Sequence, residues 1–360
     1  MQEYGAIVPD VRRIAVLRAN AIGDFVFTLP ALEAVRAAYP DAEIVLLGRP
    51  WHESFLKNRP SPVDRVIPVP PCRGVGEPED FVNDEAVLDR FFASMAGERF
   101  DLALQLHGGG RFSNPFVQRL NADLTAGLKA PEAPALDRWI PYIYFQTEIV
   151  RFLETVALVG AKPVTLEPQI VVTEADLAES RQAIPDDDDN KPLVVIHPGA
   201  GDPRRRWPTQ KFAAIGDALA AKGARVVVIG AWKDERPLVE AVVEEMTAAA
   251  IPLWDRLSLG GLAGLLSRCD LIVSNDSGPL HVAAAVGAPT VGIYWCFNLV
   301  TAGSLTRARH RPVSSWRLEC PVCGVNSVEG SCEHRESFVA DVPVEEVLAQ
   351  ALDLLDAAPR

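Results

Sequence analysis

The chain has 360 residues, of which 48% are hydrophobic and 23% charged, and it carries a formal net charge of −13. This composition is typical of a globular protein with two or three domains, and the negative charge argues against general nucleic-acid binding. No apolar run approaches the ~20 residues of a membrane span, and the N-terminus lacks the basic and apolar regions of a signal peptide. Six cysteines are too few for a disulfide scaffold. We therefore expect a cytoplasmic protein.

The first half of the chain alternates buried-type strands with helices. A strand at 13–18 leads through a turn with Gly23 and Asp24 into a helix that reaches Ala38. The loop at 70–84, rich in proline, glycine and acidic residues, is expected to be exposed. Further strands are predicted at 43–47, 64–69 and 101–106. Such alternation predicts a parallel sheet covered by helices on both faces.

The same pattern restarts after residues 185–192, where an acidic run between prolines predicts a linker. A strand at 193–197 is again followed by a glycine-containing turn and a helix. We therefore predict an α/β fold of two Rossmann-like parallel-sheet domains, residues 1–184 and 193–342, followed by a C-terminal helix within 343–360.

Gly23 and Asp24 follow the first strand and open the first predicted helix. Glycine lets a backbone approach a ligand closely. The carboxylate can cap the helix, or it can act as a general base that removes the proton of an attacking sugar hydroxyl. Both roles suit the sequence, and Asp24 is the catalytic candidate.

A second candidate segment runs from His197 to Pro208, after the first strand of the second half. Its glycines predict a flexible turn rich in N–H donors, and three arginines follow at 204–206. Arginine is well matched to a diphosphate and would stabilise the charge on a nucleotide leaving group. We favour this role for Arg205 over that of an exposed surface arginine.

The most informative segment runs from Asp276 to His281. It follows an apolar strand and opens an alanine-rich helix with Pro279 in its first turn. Such a helix start offers free N–H groups and a positive dipole end to a phosphate, although Asp276 or Ser277 could simply cap the helix. His281 lies one turn after Ser277, so both are expected to face the same side. The predicted donor-binding residues are Gly199, Ala200, Arg205, Asp276, Ser277, Gly278, Pro279 and His281.

Two weaker candidates complete the predicted site. Asp234 and Glu235 follow a strand and could accept hydrogen bonds from a ribose hydroxyl, or could merely start a helix. The glycine-rich turn after the strand at 101–106 could line the acceptor side, or could merely allow close packing. The acceptor-side candidates are Gly23, His107, Gly108 and Arg111.

Three cysteines and a histidine late in the chain have the residue types of a zinc site. Cys320 and Cys323 form a Cys-x-x-Cys pair, and Cys332 and His334 follow with a single residue between them. Four-ligand zinc is compatible with this set, although the second spacing is shorter than usual. We favour reduced structural thiols, and the predicted site contains no metal.

Three motifs together resemble glycosyltransferase family 9, the heptosyltransferases of lipopolysaccharide core assembly and their relatives. Arg205 stands where the family pattern Lys-x-Trp-Pro usually has lysine, and the first-half motif 105–111 resembles an unspecified branch of the family. The motifs are Arg18-Ala-Asn-Ala-Ile-Gly-Asp24 with Thr28-Leu-Pro30, His197-Pro-Gly-Ala200 with Arg206-Trp-Pro208, and Ser274-Asn-Asp-Ser-Gly-Pro-Leu-His281 with Gly287-Ala-Pro-Thr290.

The resemblance implies a GT-B architecture, in which the two domains face a cleft and the final helix, within 343–360, packs back on the first domain. It implies inverting transfer, independent of metal and cofactor, from a nucleotide-diphosphate sugar such as an ADP-heptose, with Asp24 as the base. The implied acceptor is a lipopolysaccharide-core or other surface-glycan precursor. Such an acceptor implies peripheral contact of a cytoplasmic enzyme with the inner membrane, and no nucleic-acid partner is expected.

A similar two-domain scaffold can carry functions other than sugar transfer. A dinucleotide-dependent oxidoreductase would need a Gly-x-Gly-x-x-Gly turn, but residues 19–24 hold only one glycine. A sugar-nucleotide epimerase or hydrolase, and a catalytically silent nucleotide-sugar binder, stay open as alternatives.

Overall fold

The computed structural model describes residues 5–186 and 191–357. The chain divides into two compact units, and the division falls between Val171 and Val172. Among the described residues, no helix is long and apolar enough to cross a bilayer.

The first unit contains eight strands and five helices within residues 5–171. Its strands are β1 (Arg13–Leu17), β2 (Glu43–Gly48), β3 (Arg65–Pro68), β4 (Cys72–Arg73), β5 (Gly76–Glu77), β6 (Leu102–Gln105), β7 (Leu124–Lys129) and β8 (Arg138–Pro141). Its helices are α1 (Ile22–Ala38), α2 (Pro50–Leu56), α3 (Glu85–Met95), α4 (Ser113–Gln118) and α5 (Glu148–Ala157).

Six of these strands form one parallel sheet in the order β3-β2-β1-β6-β7-β8, while β4 and β5 pair separately within the described chain. Strand β1 is central, and its residues from Ile14 to Leu17 are buried, as expected for a parallel sheet with helices on both faces. The strand order reverses between β1 and β6. At such a reversal the carboxyl ends of the strands leave a crevice in which ligands bind.

The second unit repeats this arrangement within residues 172–186 and 191–357. Its strands are β9 (Leu193–His197), β10 (Arg225–Gly230), β11 (Ala250–Trp254), β12 (Leu271–Asn275), β13 (Thr290–Trp295) and β14 (His310–Ser315). Its helices are α6 (Glu174–Ala183), α7 (Thr209–Ala220), α8 (Arg236–Glu245), α9 (Leu259–Arg268), α10 (Gly278–Ala285), α11 (Cys296–Ala302) and α12 (Val344–Ala357), with a 3₁₀ turn at Pro203–Arg205.

The second sheet is also parallel, with the order β11-β10-β9-β12-β13-β14 in the described part of this unit. Its order reverses between β9 and β12. Both units thus have the Rossmann strand order, and the predicted fold class is confirmed. Strands β4, β5, β7, β8, β11 and β14, and helices such as α3 and α9, were not predicted.

The division between the units differs from the predicted linker at 185–192, of which residues 187–190 lie outside the described residues. Helix α6 belongs to the second unit because it packs closely on α9. A Cβ on Gly264 would lie 2.2 Å from the carbonyl oxygen of Asp176, so only glycine permits this approach. Residues 172–184 therefore join the second unit rather than the first.

Two further expectations concern the loop 70–84 and the C-terminal helix. The loop 70–84 is not simply exposed, because Val75 is fully buried in the core of the first unit. Helix α12 packs on α7 and on strands β12 to β14 of its own unit, where Val347, Ala351 and Leu354 enter the core. The predicted packing of this helix on the first domain stays a prediction.

Candidate active site

Asp24 lies at the N-terminal end of α1, in the crevice at the strand reversal of the first unit. Its Oδ2 accepts a hydrogen bond from the backbone N–H of Ala21 at 3.2 Å, so the carboxylate does cap the helix. Its Oδ1 accepts a hydrogen bond from Arg18 Nη2 at 3.0 Å. The side chain nevertheless keeps 38% of its surface exposed. Asp24 is therefore held in a fixed orientation while remaining accessible to a ligand.

Arg18 is the residue that holds Asp24, and sequence reasoning did not assign it a role. It directly follows β1 and is only 2% exposed. Its guanidinium donates to the carbonyl oxygens of Asp24 and Leu106 and to Glu148 Oε2, and it lies 4.7 Å from the centre of the Phe152 ring. A buried arginine with this many acceptors is rigid, and it presents Asp24 in one position.

Glu148 and Arg151 extend the same network from helix α5. Glu148 accepts from Arg18 and pairs with Arg151 one helical turn later. The only sequence signal for Arg18 was a charge placed directly after an apolar strand. Glu148 lies 130 residues from its partner, and no local pattern could have found it.

His107 is buried beside the loop that follows β1. Its Nδ1 accepts from the backbone N–H of Ala19 at 3.2 Å, and its ring also bonds the backbone of Gly74. Burial, assisted by the nearby charge of Arg18, lowers the pKa of His107 to about 3. The ring is therefore neutral at pH 7, and it ties the loop 70–84 to the end of β1.

The other acceptor-side candidates occupy the turn after β6. Gly108 has a φ of +62°, a conformation that favours glycine, and buried Gln105 donates to the carbonyl oxygens of His107 and Gly108. Arg111 is exposed, pairs with Glu79 and stacks on Phe112. Gly23 is buried in the first turn of α1. His107, Gly108 and Gly23 therefore shape the crevice, whereas Arg111 lies on the surface.

His52 is a second residue that sequence reasoning missed. It is fully buried on α2, where its ring stacks on Trp51 and meets Phe25 of α1 edge-on. Burial lowers the pKa of His52 to about 3. Its Nδ1 accepts from the backbone N–H of Arg49, and Arg49 in turn donates to the carbonyl oxygen of Ala19.

The predicted donor segment forms a charged cluster in the second unit. Asp276 follows β12 and is 2% exposed. Its Oδ2 accepts from Arg205 Nη1 at 2.8 Å, and its Oδ1 lies 3.0 Å from His281 Nε2. Although burial alone would raise the pKa of Asp276, these two partners lower it below its usual range. The carboxylate thus stays ionised and fixes the arginine.

The cluster lies at the start of helix α10. Ser277 is the N-cap residue, Gly278 begins the helix, and Pro279 lies in the first turn as predicted. The Ser277 side chain does not cap the helix; instead its Oγ lies 3.0 Å from Nδ1 of His197. The first turn of a helix leaves N–H groups without intrahelical partners, so this end is open to an anion.

His197 and Glu235 form a second buried pair beneath the turn at 198–206. Their side chains meet at 3.3 Å, between Nε2 and Oε1. Gly199 packs on this pair, because a Cβ there would lie 2.1 Å from Glu235 Oε1. Burial acts to raise the pKa of Glu235, but His197 and the N–H groups of Ala231 and Trp232 lower it to about 2.

Glu235 therefore supports the turn, and its predicted contact with a ribose stays a prediction. Asp234 is exposed and accepts from Arg206 Nη2 at 2.6 Å, so its predicted ribose contact stays a prediction. Arg206 also donates to the carbonyl oxygen of Ala200.

Asn275 links the two segments of the donor site. Its side-chain oxygen accepts from the N–H of Trp207 at 3.0 Å, and its amide nitrogen donates to the carbonyl oxygen of Pro198 at 2.8 Å. Neither bond has a signal in the sequence, since the partners lie more than 65 residues apart. The structure thus brings the turn at 198–206 and the start of α10 together as one site.

The late cysteines also come together, on the loop between β14 and α12. The ligand atoms of Cys320, Cys323, Cys332 and His334 lie within 4.8 Å of one another. The four residues that the sequence made compatible with zinc are therefore neighbours in space. They are far along the chain from Arg205 and Asp276.

Two parallel-sheet domains of Rossmann strand order give the fold class of the GT-B glycosyltransferases. The family model of glycosyltransferase family 9 (heptosyltransferase) matches residues 88–319. Since this match spans more than half of the chain, the protein belongs to that family and is a glycosyltransferase. The cysteine cluster lies beyond the end of the match.

Relatives and solved structures agree with this assignment. The chain is 26% identical over 298 residues to lipopolysaccharide heptosyltransferase 2 of Salmonella typhimurium, covering 78% of this chain and 82% of the relative. It is similar in fold to the glycosyl transferase family 9 protein of Veillonella parvula (TM-score 0.81, 22% identity, 98% and 100% of the chains covered). It is also similar in fold to the ADP-heptose lipopolysaccharide heptosyltransferase II of Escherichia coli (TM-score 0.74, 19% identity, 96% and 98% covered).

The lowered pKa of Glu235 predicts an acid-dependent stability of the second unit. Because its pKa falls from 4.5 to about 2 on folding, ionised Glu235 stabilises the fold above pH 4.5, and this contribution is lost as the pH falls towards 2. We expect Glu235→Gln to lower the free energy of unfolding at pH 7 by about 2 kcal/mol. The difference from the wild type should shrink below pH 4.5, as measured by urea unfolding across pH.

Glu240→Gln is the matched control, because Glu240 lies on the surface of the adjacent helix and pairs only with Arg236 among the contacts described here. Its unfolding curve should follow the wild type at every pH. A constant difference between Glu235→Gln and the wild type from pH 7 to pH 2 would contradict the assignment.

Proposed function

We propose that this protein transfers heptose, or a related sugar, from a nucleotide-diphosphate donor such as ADP-heptose to a lipopolysaccharide-core or other surface-glycan acceptor. The observation that carries the proposal is the cluster of Arg205, Asp276 and the start of α10 at the strand reversal of the second unit. Support also comes from the names of the relatives, which include an ADP-heptose lipopolysaccharide heptosyltransferase.

The diphosphate of the donor would be held by Arg205 and by the first turn of α10. The hydrogen bonds to Asp276 use Nη1 of Arg205, which leaves the donors on Nε and Nη2 for phosphate oxygens. The positive end of the α10 dipole adds to this attraction. As the sugar–phosphate bond breaks, the negative charge on the departing diphosphate increases, and these fixed donors stabilise it.

Asp24 would act as the general base. It accepts the proton of the acceptor hydroxyl while the hydroxyl oxygen attacks the anomeric carbon, and the electron pair of the broken bond leaves with the diphosphate. Attack from the face opposite the leaving group inverts the anomeric configuration. Because Arg205 and backbone N–H groups neutralise the leaving group, the transfer step needs no metal ion or other cofactor.

An amphipathic acceptor would bring the protein to the cytoplasmic face of the inner membrane. The first unit exposes an aromatic loop, comprising Trp139, Ile143, Tyr144 and Phe145, each about half exposed. Buried Arg151 donates to the carbonyl oxygens of Ile143 and Tyr144, which holds the loop backbone in place. Exposed aromatic side chains suit the interface between lipid headgroups and acyl chains.

Asp24→Asn tests the proposed base. We expect kcat to fall by about 10²- to 10⁴-fold, with the affinity for ADP unchanged, because Asn keeps the shape of the side chain but cannot take the proton. The measurement is ADP release from ADP-heptose with truncated lipopolysaccharide as acceptor, alongside titration of ADP binding. Asp84→Asn is the matched control, since Asp84 caps α3 with a similar bond to Val87.

Unchanged turnover in Asp24→Asn would overturn the assignment of the base. ADP release that does not depend on acceptor would favour the hydrolase, and epimerised donor would favour the epimerase. Tight ADP binding without turnover of any donor would favour the silent binder.

Arg205→Ala tests the donor site. Loss of a charge-assisted contact should raise the Kd for ADP by about 10- to 100-fold, measured by calorimetry with the full chain. Arg236→Ala, which removes an exposed arginine of α8, should leave the Kd unchanged. If Arg205→Ala binds ADP as the wild type does, the diphosphate does not lie against Arg205.

The membrane contact is tested with the double substitution Tyr144→Ser and Phe145→Ser. We expect the wild type, but not the double variant, to float with vesicles that contain anionic lipid, because loss of exposed aromatic area weakens interfacial binding. The matched control is Val164→Ser, which removes an exposed apolar side chain elsewhere in the unit. Equal flotation of all three proteins would contradict the role of the aromatic loop.

A further inference from the structure

The loop between β14 and α12 contains a compact group of metal-ligating side chains. Three cysteine sulfurs and one histidine nitrogen, from Cys320, Cys323, Cys332 and His334, lie mutually within 4.8 Å. Sulfur atoms bound at about 2.3 Å to one tetrahedral zinc ion lie roughly 3.8 Å apart, so small side-chain adjustments would bring all four atoms onto one ion.

The backbone around Cys320 is shaped as in a metal-binding turn. The N–H groups of Val322 and Cys323 point to the sulfur of Cys320, and the N–H of His334 points to the sulfur of Cys332. Gly324, directly after Cys323, has a φ of +73°, and its N–H bonds the carbonyl oxygen of Cys320 at 3.0 Å. N–H groups directed at ligand sulfurs are the outer contacts that orient such ligands towards a metal ion.

The imidazole of His334 provides a further sign of a bound ion. Nδ1 of His334 is buried and has no hydrogen-bond partner among the described residues. A buried nitrogen left without a partner costs free energy comparable to a lost hydrogen bond. Coordination of a metal ion through Nδ1 would satisfy this nitrogen, on a side chain that already lies beside the three sulfurs.

The chemistry of the donor set excludes hard cations and suits zinc. Three thiolates and one imidazole are soft or borderline ligands, which do not suit calcium or magnesium. A Cys₃His set with four protein ligands is the composition of a closed structural zinc site, in which no position is left open for substrate. Binding would release the three thiol protons to solvent, and no oxidant or reductant is required.

The cluster lies on a segment that supports the donor site. The N–H of Phe338 donates to the carbonyl oxygen of Arg204 at 2.8 Å, and the Trp295 indole donates to the carbonyl oxygen of Arg317 at 2.8 Å. Cys320 and Phe338 are buried in the core of the second unit. Both ends of the cysteine loop are thus bonded next to the turn that carries Arg205.

We propose that Cys320, Cys323, Cys332 and His334 bind one structural zinc ion, which holds the loop 316–338 against the turn carrying Arg205. Between residues 316 and 337 the described chain has only turns and an isolated bridge between Glu319 and Asn326. A metal ion can supply the stability that such a segment lacks from a core of its own. The ion takes no part in sugar transfer.

Metal analysis of the full chain, purified without a metal-affinity tag, tests the proposal. We expect about one zinc per chain, and replacement by Co²⁺ should give thiolate-to-cobalt charge-transfer absorption and the visible bands of tetrahedral cobalt. Cys323→Ser and His334→Ala should weaken zinc binding by at least about tenfold. Glu333→Gln, an exposed neighbour of two ligands, and Cys72→Ala, a buried thiol of the first unit, should keep full zinc.

A second measurement separates metal loss from misfolding. Chelation of the wild type should raise hydrogen exchange in residues 316–338 and leave strands β9 and β12 protected. The proposal would be overturned if the chain stayed free of zinc after supplementation, or if all four variants bound equal zinc. Retention of iron in place of zinc would also overturn it. So would a disulfide between any two of the three cysteines in freshly purified protein, since oxidised sulfur does not bind zinc.

Discussion

The buried carboxylate of Asp276 is the interaction on which the proposed donor site depends. Burying a charge is costly unless partners compensate for the lost water. Here Arg205 and His281 contact one carboxylate oxygen each, and the carboxylate in turn holds the arginine at the start of α10. The cationic group is thus placed before any phosphate arrives, which is the condition under which electrostatic stabilisation is most effective. Removal of Asp276 would leave Arg205 charged but unfixed, whereas removal of Arg205 would leave a buried carboxylate with less compensation.

The first unit uses the same principle with the charges reversed. There the buried group is a cation, Arg18, and it fixes two carboxylates, Asp24 and Glu148. The accessible group of the first unit is therefore anionic, which suits the proposed base, while the second unit presents a cation, which suits the proposed diphosphate site. Both buried groups directly follow the carboxyl end of a central strand, β1 or β12. The topology places them at the strand reversal, and their charge decides what the crevice can hold.

The sequence predicted those features that local patterns determine. The apolar runs of β1 and β9 depend on neighbours in sequence, and they lie within a residue of the predicted bounds. Pro279 lies in the first turn of α10, as predicted. The loop 70–84 was judged by composition, which does not show that Val75 enters the core. The contacts of Glu235 with His197 and Gly199 had no sequence signal for a related reason, because both partners lie at the end of another strand. Burial and pairing across the sheet are non-local, and one sequence does not reveal them.

The turn at 198–206 shows why a phosphate site needs more than its contacting residues. A backbone that approaches phosphate closely must be rich in glycine, and glycine leaves it flexible. Three anchors from different parts of the unit offset that flexibility. Glu235 and His197 lie beneath Gly199, Asn275 bonds Pro198 and Trp207, and Phe338 bonds Arg204 from the cysteine loop. Because a shift of about 1 Å in a positioned group can cost a hundredfold in rate, residues that never touch the donor can still limit its transfer.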